Sequence, residues 1–350
     1  MVRDAWSRGQ SLENAVQTFT NSAKKWNKEV FGNFFSRRKK IEARLNGVQK
    51  AMANRPSDFL VELESNLRKK YVEDKELIDE YWAMKARINW LVLGEHNTSY
   101  YHASVINGRR RNRITSLKDN VGNCITDEIE VADYIRKWYM NLYTTDMEES
   151  QRKTLDIPNW PIKLSKEEAQ VLASSIEDRE IKDGLWALKA FKAPKPNGLH
   201  AGFYQRFWLI TGNSVVELIK KVFEKGCVLP YLNKTLITLI PKHTGADSLG
   251  SFKPISLCNT VYKIISKVIV ARLKPYLDKL ISPLQATFVP SRKGVDNAII
   301  VQELLYTLSL KKGKVGYMVV KIDLEKAYDS LEWSFVRDTL ALFNIPPFVS

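Results

Sequence analysis

Cysteine is scarce in this chain. Cys124, Cys227 and Cys258 are the three present, odd in number and far apart. Neither a disulfide framework nor a Cys-x-x-Cys metal knuckle can be built from them. The four histidines, His96, His102, His200 and His243, stand at no ligand spacing with the cysteines, so no structural metal is expected. Long apolar runs are lacking too. No segment approaches the roughly twenty apolar residues that span a bilayer, and Met1 to Asn14 lack the apolar stretch of a secretory signal. These absences exclude a disulfide scaffold and a helical membrane protein, and the expectation is a soluble intracellular chain.

What the chain does have is positive charge. Lys+Arg number 54 against 39 Asp+Glu, a formal +15 over 350 residues. Such an excess favours polyanion partners through phosphate neutralisation and counterion release. The length allows two or three domains with cores of their own.

Leu12, Val16, Phe19, Ala23, Trp26 and Val30 recur at steps of three or four, followed by Ile41, Leu45, Val48 and Met52. That is the apolar stripe of a long amphipathic helix. Asn54 to Asp58, with Pro56 between them, breaks it and starts a new cap. A second stripe runs through Leu60, Leu63, Leu67, Tyr71, Leu77, Tyr81, Met84, Ile88 and Leu91. Two long helices joined by a short turn fold back on each other, so residues 1–112 are expected to form a basic helical hairpin. Arg37 to Lys40 reads as a solvated face. Arg109, Arg110, Arg111 and Arg113 follow Tyr100, Tyr101 and His102, a mixture suited to phosphate contact and stacking on unpaired bases.

Residues 113–160 read as a β-hairpin turning at Asp119 to Gly122, a helix from Asp127 to Tyr143 and a polar linker. From 161 onward, Ser165 and Glu168 form a capping box, and a helix carrying Ile181, Leu185 and Leu188 follows. A third helix carries Val215, Leu218 and Val222 and closes near Gly226. Leu236 to Ile240 reads as a buried-type strand running into Lys242, with Lys253 in the extended segment after it. Val261 to Leu280 reads as a helix, and Asp296 or Asn297 caps another through Ile300, Leu304 and Leu308. Tyr317 to Ile322 has strand composition and ends in Asp323; Asp329, with Glu332 three residues on, reads as the cap of a final helix.

Four blocks in order carry a resemblance. They are KARINWLVLGEHNTSYYHASVINGRRRNRITSLKDNVGN, ITLIPK with FKPISLCNTVYKIISK, Gln285 to Asn297, and VVKIDLEKAYDSLEW from Val319 to Trp333. Together with the loop from Ala193 to Gly198, they resemble the reverse transcriptases of LINE-type (non-LTR) retrotransposons, in wording closest to flowering plants. Lys195, Asn197 and Ser291 stand where the family wording has glycine, aspartate and glycine.

The resemblance implies an α+β chain: a helical hairpin followed by an incomplete right-hand polymerase, fingers and partial palm, over 161–350. It implies Asp323 as the catalytic aspartate that binds Mg2+, and Tyr328 under the incoming sugar. Lys253 and Lys242 would meet the triphosphate, and Arg292 the template or nucleotide pocket. The implied partners are an RNA template, a DNA primer and deoxynucleoside triphosphates, with a nuclear site of action. The tandem Asp-Asp of the second carboxylate motif does not occur in the sequence, and one aspartate cannot hold two magnesium ions. The expectation is therefore an RNA-directed DNA polymerase region inactive as this chain, or else a non-enzymatic nucleic-acid-binding remnant. The Tyr317–Leu324 strand would lack partners and expose an aggregation-prone edge.

Overall fold

The computed structural model describes residues 1–7, 11–86, 98–145, 161–193, 196–312, 316–320, 322 and 328–347. In chain order these form α1 (Val2–Trp6), α2 (Leu12–Trp26), α3 (Phe34–Asn54), α4 (Asp58–Ala86) and α5 (Thr98–Asn112). The short strands β1 (Leu117–Lys118) and β2 (Cys124–Ile125) come next, then α6 (Glu128–Tyr143), α7 (Lys166–Leu172), α8 (Asp178–Trp186), α9 (Ala201–Arg206) and α10 (Trp208–Lys225). After α11 (Pro230–Asn233) lie β3 (Leu236–Pro241) and β4 (Phe252–Leu257). The last helices are α12 (Thr260–Leu273), α13 (Leu277–Leu280), α14 (Gly294–Leu310) and α15 (Trp333–Leu342). The chain is mixed, largely helical with two small antiparallel sheets among the described residues. No helix among them is long and apolar enough to cross a membrane.

Two compact units result. The first holds Met1–Thr126, Ala190–Ser214 and Thr235–Cys258. Within it α3 stops because Arg55 is extended ahead of Pro56, and the Ser57 hydroxyl accepts from the Leu60 N–H at 3.3 Å to start α4. Ile41 and Val48 of α3 bury against Leu67 of α4, with Leu45, Met52, Leu60, Leu63 and Tyr71 around them. The Arg37–Lys40 run does face solvent, with the Arg37 side chain 46% exposed and Lys39 and Lys40 exposed, but its two arginines are paired. Arg37 Nε donates to both oxygens of the buried Asp74 at 2.8 and 2.9 Å, and Arg38 Nε donates to Glu42 at 3.0 Å. A continuous helix from Leu12 to Met52 also does not form. α2 passes into a π-helical turn at Asn27–Phe31, Gly32 takes φ +61°, and the Asn33 side chain accepts from the Ser36 N–H at 3.1 Å. A glycine in the left-handed region and a fresh cap override the apolar stripe.

β3 and β4 pair antiparallel from Leu236 opposite Leu257 to Pro241 opposite Phe252. β3 is not the buried strand its composition suggests: Leu236 is 51% and Ile237 44% exposed. A two-stranded ribbon covers neither face of itself, so apolar composition alone does not bury it.

The second unit holds Asp127–Lys189, Val215–Lys234 and Asn259–Ser350. Its core follows α12, where Val261, Ile264, Ile265 and Val268 are buried, as are Ile181 and Leu185 of α8. Gly184 lies at the contact of the two helices, where an added Cβ would sit 3.4 Å from Ile264 and Val268, an ordinary van der Waals contact. Leu164, Leu172, Leu280 and Ile345 make a second cluster. The Ser165–Glu168 box forms as read, with both reciprocal bonds at 2.6 and 3.1 Å.

Four local expectations need correction in this unit. The helix read from Val261 to Leu280 divides at a 3-10 turn, Lys274–Tyr276, because Pro275 cannot continue the α ladder. α14 is capped at Lys293 without a side-chain bond, and Asn297 instead donates to the Leu284 carbonyl at 2.7 Å. α15 is capped at Glu332, also without a side-chain bond, so Asp329 is not its cap. Tyr317–Val320 and Ile322 form no strand; Met318 is 84% and Ile322 80% exposed. With no ladder partner, β-favouring residues have nothing to hold them extended.

Candidate functional site

The β3–β4 ribbon positions two of the cations singled out from sequence. Lys253 pairs with Ile240, and Lys242 follows two residues along the opposite strand. The ladder continues past β3, because the Lys242 N–H donates to the Ser251 carbonyl at 2.9 Å. Side chains on a ribbon alternate, so Lys242 and Lys253 share one face as diagonal neighbours. Both are exposed. Lys242 Nζ donates to the Gly250 carbonyl at 2.8 Å, which draws it across the turn. Two ammonium groups on one solvent face raise the positive potential there.

Arg292 and Tyr328 lie in the second unit. The Arg292 guanidinium is turned inward and only 17% of its side chain is exposed. Nη1 donates to the Ser282 and Gln285 carbonyls at 2.5 and 2.9 Å, and Nη2 donates to the Ile281 carbonyl at 3.1 Å and Asp278 Oδ1 at 3.3 Å. These bonds gather the loop after α13. Two residues of that loop, Phe288 and Ser291, have φ of +66° and +68°. The second is one of the positions where the family wording has glycine, and the left-handed backbone explains why. Phe288 meets Tyr328 edge-on at 6.0 Å, with both rings more than three-quarters exposed at 80% and 77%.

The turn that carries Tyr328 is tied to α6. The Asp329 carboxylate is hydrogen-bonded to the Tyr143 hydroxyl, and Tyr143 stacks on Tyr139 at 5.8 Å. Burial pushes the Tyr139 hydroxyl up to about 12, with Tyr143 and Asp329 adding to it. Burial first, and Asp329 second, raise Tyr143 as well. Both phenols therefore stay neutral donors at neutral pH. This anchor was missed in the sequence because residues 143 and 329 share no local pattern.

Asp323 and Lys195 lie outside the described residues. Among the described residues no three His, Cys, Asp or Glu side chains gather closely enough to hold a metal ion. Of the four arginines after Tyr101, Arg109 and Arg113 line a cleft together with Lys85 and Lys192. Arg110 and Arg111 are exposed and are not among its walls. Lys85 and Lys192 were not legible as partners of the arginines, since neither shares a local pattern with them in the chain.

The ribbon's second half, the Arg292 loop and the Tyr328 turn all fall within residues 240–349, which match the family "Reverse transcriptase (RNA-dependent DNA polymerase)". This stretch is a reverse transcriptase domain, of the kind carried by non-LTR retrotransposons. Over 361 aligned residues, covering 99% of this chain, it is 25% identical to the "Transposon TX1 uncharacterized 149 kDa protein" of Xenopus laevis. The chain spans 27% of that relative. Over 107 residues, 31% of this chain and 10% of the relative, it is 31% identical to the "Retrovirus-related Pol polyprotein from type-2 retrotransposable element R2DM" of Drosophila melanogaster. A Nasonia vitripennis R2 Pol polyprotein is 24% identical over 139 residues, 38% of this chain and 13% of its own length.

Proposed function

We propose that the chain is the fingers and first palm segment of an RNA-directed DNA polymerase, preceded by a basic helical hairpin, and inactive by itself. The observation that carries this reading is the VVKIDLEKAYDSLEW stretch inside the matched region, downstream of a ribbon that places Lys242 and Lys253 on one face. In this reading Lys253 and Lys242 neutralise the triphosphate of an incoming deoxynucleotide. A lysine at 253 supplies charge without the bidentate geometry of arginine. Tyr328, held through Asp329 and backed by Phe288, packs under the sugar. Arg292 shapes the loop that presents Phe288, and it acts as a positioning residue rather than as a ligand of the nucleotide.

Asp323 is the aspartate that this reading assigns to catalysis, with an RNA template and a DNA primer as substrates and the nucleus as the site of action. Magnesium is the ion that reverse transcriptases use beside it. The sequence contains no tandem Asp-Asp, and no step is derived through the metal. The flowering-plant wording of the motif points to the source.

The experiment is primer extension on an RNA template with magnesium, for this chain, for Asp323→Ala, and for the chain lengthened with residues carrying an Asp-Asp motif. Extension by the lengthened product alone, lost with Asp323→Ala, is the expected result. No extension by any of them, with the lengthened product folded, would sink the reading.

A further inference from the structure

On the first unit a cleft of about 930 Å³ opens between the end of α4, one face of α5 and the residues Phe191, Lys192 and His200. Its size falls in the usual range for ligand sites, roughly 300–1,000 Å³. Four of its lining side chains are cations, Lys85, Arg109, Arg113 and Lys192, and none is acidic. Tyr81, Phe191 and His200 add rings to the walls.

The floor is built by helical spacing. Ser104, Gly108 and Asn112 recur every four residues along α5 and all line the cleft. Arg109 and Arg113, one position on, form the adjacent ridge. Gly108 is notable because its backbone is helical and does not need glycine. A Cβ built there would meet nothing within 4 Å. Glycine inside a helix weakens it relative to alanine, and what it leaves here is open space between the cations.

Phe191 lines the same cleft. It is 69% exposed, and its ring meets His200 edge-on at 5.1 Å. His200 Nδ1 accepts from the Phe203 N–H at 3.2 Å, which fixes the imidazole against it. Lys85 Nζ lies 4.2 Å from the centre of the Tyr81 ring. A large exposed aromatic, an open floor and four lining cations match the two surfaces of an unpaired nucleotide, a flat apolar base and flanking phosphates.

We propose that this cleft binds single-stranded nucleic acid, lodging one base above Gly108 against Phe191 while Arg109, Arg113, Lys85 and Lys192 hold the adjoining phosphates. A duplex keeps its bases stacked inside and can use only the cations. The proposal rests on the polymerase reading for the presence of such a strand, and it concerns a site separate from the nucleotide-binding lysines on the ribbon.

Fluorescence anisotropy of the full chain with a labelled oligouridylate, the matching single-stranded DNA and an RNA duplex tests it. Gly108→Leu fills the floor, keeps every charge and favours the helix; Phe191→Ala removes the stacking face. Each is expected to weaken single-strand binding by about tenfold with an unchanged salt slope, and to leave duplex binding alone. Arg109→Ala and Arg113→Ala should each lower the salt slope by about one. Equal weakening for RNA and DNA assigns the site to base and phosphate, and loss for RNA only adds a contact to the ribose hydroxyl; both support the cleft.

Wild-type affinity for the single strand in both Gly108→Leu and Phe191→Ala, with circular dichroism showing them folded, would overturn the proposal. So would oligoglutamate binding that these two variants abolish, because the cleft would then belong to an acidic peptide. Neither result depends on primer extension, so the cleft can fail while the polymerase reading stands.

Discussion

Arg272 on α12 grips Glu180 on α8 with Nε and Nη2, one to each carboxylate oxygen at 2.7 Å. The same guanidinium donates to the carbonyls of Leu172, Ser174 and Ser175 at 3.2, 2.6 and 2.9 Å. Its side chain is 11% exposed and that of Glu180 29%. One residue thus fastens the α7–α8 connection to the central helix of the second unit. Arg272→Ala strands a carboxylate and three carbonyls and should cost about 3 kcal/mol in urea denaturation. Arg272→Lys should recover only part of that, because an ammonium cannot reproduce the planar fork. Wild-type stability in Arg272→Ala would show the clamp to be idle.

The same pair predicts a pH dependence. Hydrogen bonds from Arg272, with a smaller contribution from the Glu177 N–H, hold the Glu180 carboxyl below the usual carboxylate range. A depressed folded-state value means stability that is present above the unfolded pKa and is lost as pH falls through the folded one. The stability difference between wild type and Glu180→Gln should therefore be full at pH near 7 and shrink on acidification below about 4. A difference independent of pH would exclude charge as its origin.

Ser291 is exposed and sits at φ +68°, where only glycine is comfortable. Ser291→Gly is expected to stabilise the second unit by about 1 kcal/mol, and Ser291→Val to destabilise it by a similar amount or more. Thermal melts of the two variants decide the matter. A melting temperature lowered by glycine would mean that the loop does not hold this conformation.

Asn259 does not cap α12 with its side chain. Its Nδ2 donates instead to the carbonyls of Tyr231, Leu232 and Lys234 at 2.8, 3.2 and 3.4 Å, closing α11. The residue is 4% exposed. Asn259→Asp puts a carboxylate against these carbonyls and should cost more than Asn259→Ala, which loses about 2 kcal/mol. The reverse order in chemical denaturation would show that these donated bonds are not what the residue contributes.

α14 is apolar almost all round, yet none of its residues is buried. Ile299, Ile300, Leu304, Leu305 and Leu310 are each at least 47% exposed. An exposed patch of this extent drives association. The chain should bind a hydrophobic dye strongly and self-associate as concentration rises. Ile300→Glu with Leu304→Lys should reduce both while changing stability by less than about 0.5 kcal/mol. Light scattering and dye fluorescence unchanged by the pair would refute it.

How much could be seen beforehand differs from residue to residue. The Ser165–Glu168 box, the stop at Asn54 and the helix closing at Gly226, whose φ is +59°, were all legible. Each depends on neighbours within a few positions, so local chemistry suffices. Ser291 was legible only through the resemblance, which marked a glycine position. The strand expected at Tyr317–Ile322 failed for the opposite reason: its composition is right, but a strand exists only by pairing.

The sequence by itself determined the helical stripes, their caps and breaks, the net charge and the motif order that marks a reverse transcriptase domain, because these rest on short spacings. Tertiary structure alone decided that Arg37 pairs with Asp74, that Arg292 turns inward and that Asp329 reaches back to Tyr143. It alone placed Lys85, Arg109 and Lys192 around one cleft. The fate of a charged side chain depends on which distant carboxylate, carbonyl or solvent it meets, and only the folding of the chain brings that partner within reach.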